Sequence, residues 1–118
     1  MSQNRNKLIK LLIGNLSNSA VHRILEKSIT DKEELSGKYR KEFLASFEIA
    51  KRYREKINPI NEKLSQKDIS FIKDKIIKKV RVELLIRISK GYGNIDVETI
   101  ESEVDKLIKE IEFQDENL

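Results

Sequence analysis

Residues 80–88 of the chain read VRVELLIRI, and this stretch decides the fold class because it permits two interpretations. Its apolar residues alternate with Arg81, Glu83 and Arg87, a pattern that is typical of a β-strand. The same stretch also continues a helical series with spacings of three and four: Ile69, Ile72, Ile76, Val80 and Leu84. No second strand candidate occurs in the chain to pair with a lone strand, so we predict a helix over about 66–90. The strand alternative requires a second chain as the pairing partner.

Three further helices are predicted, over about 4–28, 31–57 and 97–113. The second has the clearest period, with apolar residues on one face: Leu35, Tyr39, Phe43, Phe47, Ala50, Tyr53 and Ile57. In the first helix, small and polar residues are poor helix formers, and we expect a kink or a break near 14–18. The prediction is therefore an all-α bundle of four helices, or five if the first one breaks, packed antiparallel with short loops.

Helix boundaries are marked by capping and breaking residues. Thr30, Ser65 and Asp96 precede the second, third and fourth helices and are predicted N-cap residues. Pro59 ends the second helix, and Gly91 supplies the left-handed residue that often follows a helix such as the third.

The charge of the chain is divided unequally along its length. Residues 1–90 carry 22 Lys and Arg against 11 Asp and Glu, whereas residues 91–118 carry two against nine. Such asymmetry indicates a polyanionic partner for the basic part, or an acidic segment that covers it. By length we expect one helical domain over 1–113, followed by a frayed acidic tail over 114–118.

Basic residues are grouped on two of the predicted helices. The candidate nucleic-acid-binding residues are Lys38, Lys41, Arg52 and Lys56 on the second helix and Lys78, Lys79 and Arg81 on the third. Lys and Arg displayed together contact phosphates with little reading of sequence, so we predict unspecific electrostatic binding of DNA or RNA by a small accessory protein. The alternative is a solvated helical face, since acids are interleaved with these bases on both helices.

The third helix is apolar nearly all round its C-terminal half. Val82, Leu85 and Ile86 face away from Val80 and Leu84, and a helix that is apolar on every side is buried on every side. Either this is the central helix of the bundle, or its second face meets another chain in a homodimer or a complex. The alternative function is therefore a protein–protein interaction module or structural subunit that assembles through Val82, Leu85 and Ile86.

The acidic fourth helix has three interpretations: pairing with the basic helices inside the fold, imitation of nucleic acid as an inhibitor, or binding of a basic protein. Its apolar series must supply the docking energy, because surface ion pairs stabilise by only about 0–1 kcal/mol each. Tyr92, between two glycines, is expected to fold back and close the end of the third helix.

No motif for catalysis or for a cofactor is evident. His22 is the only histidine and is expected at the surface or its boundary, cysteine is absent, and the Gly91–Gly93 turn lacks the spacing of a phosphate-binding loop. We therefore expect no enzymatic activity, no cofactor or metal and no small-molecule substrate. No apolar run is long enough to cross a membrane, and a cytoplasmic location is expected.

Overall fold

The computed structural model describes residues 4–29, 33–58 and 63–112, and within them the regular secondary structure is all helical. The helices are α1 (Arg5–Ser28), α2 (Glu33–Ile57), α3 (Gln66–Ser89) and α4 (Ile100–Glu112), with a 3₁₀ turn at Val97–Thr99 before α4. This confirms the predicted all-α bundle of four helices. Residues 80–88 are helical, and no strand occurs in the described ranges, so the strand alternative is wrong.

The predicted caps that lie in described residues are present. Ser65 Oγ accepts from the Asp68 backbone N at 3.1 Å, and the Asp96 carboxylate accepts from the Glu98 backbone N at 2.9 Å. Gly91 has a φ of 99°, in the left-handed region that favours glycine. Asn94, which was not singled out, also has a positive φ of 64°. The predictions on Thr30, Pro59 and the tail over 114–118 lie outside the described residues.

The expected break in the first helix does not occur, since α1 is continuous from Arg5 to Ser28. Its polar middle is satisfied without leaving the helix, because Asn15 Nδ2 donates to the Leu11 carbonyl oxygen at 2.9 Å. Ser19 Oγ donates to the Asn15 carbonyl oxygen at 2.9 Å and lies 2.7 Å from Ser46 Oγ on α2. Polar side chains that bond one turn back no longer compete with the helix, and burial between the other helices stabilises them there.

The central helix is α1 rather than α3. It packs against all three other helices, whereas α2 and α3 share no substantial interface in the described part of the chain. Its buried apolar residues surround most of the helix: Leu8, Ile9, Leu12, Ile13, Leu16, Ala20, Val21, Ile24 and Leu25. On α3 only one face is buried, formed by Ile72, Ile76, Val80 and Leu84. The alternative in which the third helix occupies the centre is therefore wrong.

Contacts between side chains show that α1 and α3 run in one direction and α2 and α4 in the other. Arg5 at the start of α1 pairs with Asp68 at the start of α3, so these two helices are parallel. Three other pairs of helices are antiparallel, as two contacts in each pair show. These contacts are Ser19–Ser46 with His22–Glu42 for α1 and α2, Lys27–Glu103 with Arg23–Glu110 for α1 and α4, and Lys73–Asp105 with the Glu112–Leu64 hydrogen bond for α3 and α4.

The ion pair between Arg5 and Asp68 joins the first turns of α1 and α3, with an N–O distance of 2.7 Å. The hydrogen bond from the Arg5 guanidinium lowers the pKa of the Asp68 carboxyl below its ordinary value. The contribution of this pair to folding is therefore complete above the ordinary pKa of aspartate. It is lost as the pH falls through the lowered pKa of the folded state.

We expect the pKa of Asp68 to rise toward its ordinary value in Arg5→Gln, because the charged guanidinium that donates to the carboxylate is replaced by a shorter, neutral amide. Carbon-detected NMR titration of the carboxyl groups measures this value directly. Arg23→Gln is the control, because Arg23 pairs with Glu110 on α4 instead. An unchanged titration of Asp68 in Arg5→Gln would contradict the ion pair.

Candidate functional site

Four of the five acids of α4 pair with basic residues on the other helices, and these pairs reach all three of them. Four interhelical pairs are formed: Glu103 with Lys27, Asp105 with Lys73 at 2.6 Å, Glu110 with Arg23 at 3.0 Å, and Glu112 with Arg54 at 2.6 Å. The hydrogen bond to Asp105 raises the pKa of Lys73. Among the three interpretations of this helix, pairing within the fold is the one that these contacts support.

One of these pairs is buried and was not expected from the sequence. The side chains of Arg54 and Glu112 are only 5% and 4% exposed, and the second Glu112 oxygen accepts from the Leu64 backbone N at 2.9 Å. A signal was present in the spacing, because Arg54 follows buried Ala50 by four residues and Glu112 follows buried Ile108 by four. Both charges thus continue the buried faces of their helices.

Glu112→Gln removes the negative charge that faces the buried Arg54 guanidinium. We expect Glu112→Gln to lower the free energy of unfolding by about 3 kcal/mol. Glu110→Gln removes a carboxylate whose side chain is 44% exposed and should cost less than about 1 kcal/mol. Urea denaturation of both variants measures the difference, and equal losses would contradict the buried pair.

The seven predicted nucleic-acid-binding residues are all exposed, and none of them forms an ion pair among the described residues. Since α2 and α3 do not pack closely on each other, the seven divide into two groups. The α2 basic group is Lys38, Lys41, Arg52 and Lys56, and the α3 basic group is Lys78, Lys79 and Arg81. The interleaved acids are present too, because Glu55 and Asp74 are exposed on the same helices.

The predicted interface residues of the third helix lie together on its solvent side. Val82, Leu85 and Ile86 are 57%, 49% and 43% exposed, and Phe71, which the sequence did not single out, is 50% exposed. These four residues and the lysines between them, Lys75, Lys78 and Lys79, form what we call the outer face of α3. A helix face in water is normally polar, so four large apolar side chains there require an explanation.

His22 is buried rather than at the surface, which corrects the expectation from the sequence. Its Nδ1 lies 2.8 Å from the Asn18 carbonyl oxygen, and its Nε2 pairs with the Glu42 carboxylate on α2. The ring also contacts Tyr39, with centroids 5.9 Å apart. Both ring nitrogens are therefore engaged, Nδ1 within α1 and Nε2 across to α2, and the arrangement is structural.

Tyr92 closes the C-terminus of α3 through its backbone, whose N donates to the Arg87 carbonyl oxygen at 3.1 Å, while its side chain is exposed. Burial raises the pKa of the Tyr39 hydroxyl, and the neighbouring Tyr92 hydroxyl raises it further. The turn after α3 is thereby placed beside the start of α2.

Two kinds of feature are absent from the ranges 4–29, 33–58 and 63–112, namely a cluster of metal-ligating residues and a membrane-spanning helix. No group of three or more His, Cys, Asp or Glu residues is arranged there to hold a metal ion. None of the helices there combines the length and the apolar character that crossing a bilayer requires.

A scan of the chain against models of known protein families found no match. Searches of curated proteins and of solved structures found none either. Function must therefore be inferred from the charge, exposure and geometry of this chain itself.

Proposed function

We propose that this chain is a small accessory protein that binds nucleic acid electrostatically through the α2 basic group and the α3 basic group. One observation carries the proposal: four of the five acids of α4 are paired with Arg23, Lys27, Arg54 and Lys73, and among the described residues no acid of α4 pairs with the seven exposed bases. Most of the negative charge of α4 is thus engaged within the bundle. The positive charge on the outer sides of α2 and α3 remains available to a polyanion.

The length of the α2 basic group suits a nucleic-acid backbone. Lys38 and Lys56 are 18 residues apart, which corresponds to about 27 Å along a helix, or roughly eight base pairs at ~3.4 Å each. Lys and Arg contact phosphate oxygens of DNA and RNA alike, and these contacts carry no sequence information directly. We therefore propose unspecific binding, and a cytoplasmic location where such polyanions are found.

The proposal is tested by removing the α2 basic group in the variant Lys38→Ala/Lys41→Ala/Arg52→Ala/Lys56→Ala. Binding to a fluorescent DNA duplex should weaken more than about tenfold at about 50 mM salt. The slope of log affinity against log salt should become shallower by about three to four units, because a variant that contacts fewer phosphates releases fewer counterions on binding. Fluorescence anisotropy at several salt concentrations measures both quantities, with a structured RNA as a second probe.

The control removes two exposed lysines from the acidic helix, in Lys106→Ala/Lys109→Ala. It lowers the net charge without touching either basic group, so its salt slope should stay close to that of the unmodified chain. If the control and the quadruple variant lose the same affinity per charge removed, net charge rather than the basic groups governs binding. If neither binds differently from the unmodified chain, the proposed surface is wrong.

The outer face of α3 favours a second function, that of a protein–protein interaction module. Val82, Leu85 and Ile86 are about half exposed, and an apolar cluster of this kind on a helix marks an interaction site more often than a solvated surface. Here the partner is a second copy of the chain or another protein. Lys78 and Lys79 belong both to this face and to the α3 basic group, so a protein and a nucleic acid would compete for them, whereas the α2 basic group lies outside this face.

A charged substitution should affect the stability of the fold differently on the exposed and the buried face of α3. Val82→Glu and Ile86→Glu should each change the free energy of unfolding by less than about 1 kcal/mol, since their side chains already contact water. Leu84→Glu should abolish folding, because Leu84 is fully buried and the charge would have no partner. Circular dichroism with thermal denaturation measures this. A large loss of stability in Val82→Glu would place that residue inside the core.

A further inference from the structure

We propose that the outer face of α3 is a docking site for an acidic amphipathic helix of a partner protein. This inference rests on the second function and names the chemistry of its partner. Five exposed residues lie on α3 at alternating spacings of four and three: Phe71, Lys75, Lys78, Val82 and Leu85. This is the heptad spacing that aligns side chains along one line of a helix that faces another helix.

The line is apolar at both ends and cationic in its middle. Phe71 forms one end, and Val82 with Leu85 forms the other. Lys75 and Lys78 lie between them, and the Lys75 ammonium lies 5.6 Å from the centroid of the Phe71 ring. The matching partner therefore has apolar side chains at its two ends and carboxylates in its middle turns.

The extent of the line fits a helix rather than a short peptide. Phe71 and Leu85 are 14 residues apart, which corresponds to about 21 Å, or about four helical turns. An amphipathic helix lying on a surface is anchored at such spacings. Isolated helices of this length are marginal in water, so the partner segment orders on binding or belongs to a folded protein.

Aliphatic side chains distinguish this surface from one made for nucleic acid. Val82, Leu85 and Ile86 gain nothing from phosphate oxygens, and they lack the flat rings on which bases stack. Burial of their side chains by apolar groups of a protein is what stabilises a complex at this end of the line.

Charge argues against a second copy as the occupant. In a parallel pair each lysine of the line would lie next to its own counterpart, and in an antiparallel pair centred on Lys78 the two Lys78 side chains would meet. Lys79 and Arg81 flank the line, and the exposed acids beside them are Asp74 and Glu83, of which Glu83 pairs with Arg87. Like charges placed opposite each other disfavour association, whereas carboxylates on a partner helix would neutralise them.

The probe is a synthetic helical peptide of about 21 residues, with leucines spaced to meet Phe71, Val82 and Leu85 and with glutamates in the middle turns. A second peptide carries lysines in place of those glutamates and is otherwise identical. Measured by fluorescence anisotropy with the full chain, the glutamate peptide should bind at least about tenfold tighter than the lysine peptide.

Two variants of the chain test the two halves of the proposal. Val82→Ser/Leu85→Ser should weaken the glutamate peptide at least about tenfold, because the apolar anchors are lost. Lys75→Glu/Lys78→Glu should reverse the preference, so that the lysine peptide becomes the tighter ligand. Two controls on α2 should leave both affinities unchanged: Leu44→Ser, an exposed apolar site, and Lys38→Glu/Lys41→Glu, an exposed basic pair.

Equal affinities for the two peptides, or an unchanged preference in Lys75→Glu/Lys78→Glu, would overturn the proposal. It would also be overturned if sedimentation showed a dimer of the unmodified chain that Val82→Ser/Leu85→Ser dissociates, since the face would then belong to a second copy. That result would support the interaction function and contradict only the proposal of an acidic partner helix. The nucleic-acid proposal is tested separately by Lys38→Ala/Lys41→Ala/Arg52→Ala/Lys56→Ala, which should lose affinity for DNA and keep its affinity for both peptides.

Discussion

Burial of α1 between the three other helices is the constraint from which the remaining features follow. Its residues Leu12, Leu16, Ala20 and Leu25 are almost entirely inaccessible, and they are contributed by different sides of the helix. Because α1 fills the centre, α3 needs to bury only one of its two apolar faces. The second face is left in solvent, and this is the origin of the outer face of α3.

The same arrangement divides the charges of the chain. The fourth helix lies against α1 and α3, so its carboxylates meet Arg23, Lys27 and Lys73, while Glu112 reaches Arg54 on α2. The exposed pairs among these stabilise little, and the apolar residues of α4 supply most of its docking energy. The pairs also affect the surface charge, because these four carboxylates face Arg23, Lys27, Arg54 and Lys73 and form no ion pair, among the described residues, with the α2 and α3 basic groups.

Much of the fold could be predicted from the sequence because local signals agree. The spacing of apolar residues gave the four helices, and Ser65, Asp96 and Gly91 marked three of their ends. The place of each helix could not be predicted. The polar residues Ser19 and His22 disfavour a central position for α1 when the sequence is considered alone. Their partners on α2, Ser46 and Glu42, are evident only in the folded structure. The exposed bases were identified from the sequence, but only the tertiary structure shows that they form no ion pair with the described acids.

The most direct test of this account is an NMR titration of the ¹⁵N-labelled chain with a DNA duplex at about 50 mM salt. We expect the amide signals of the α2 and α3 basic groups to shift, while those of α4 stay in place. Addition of salt should reverse the shifts. Shifts concentrated on α4, or none at a duplex concentration that saturates binding by anisotropy, would contradict the claim that the bundle engages its acids and leaves its bases available.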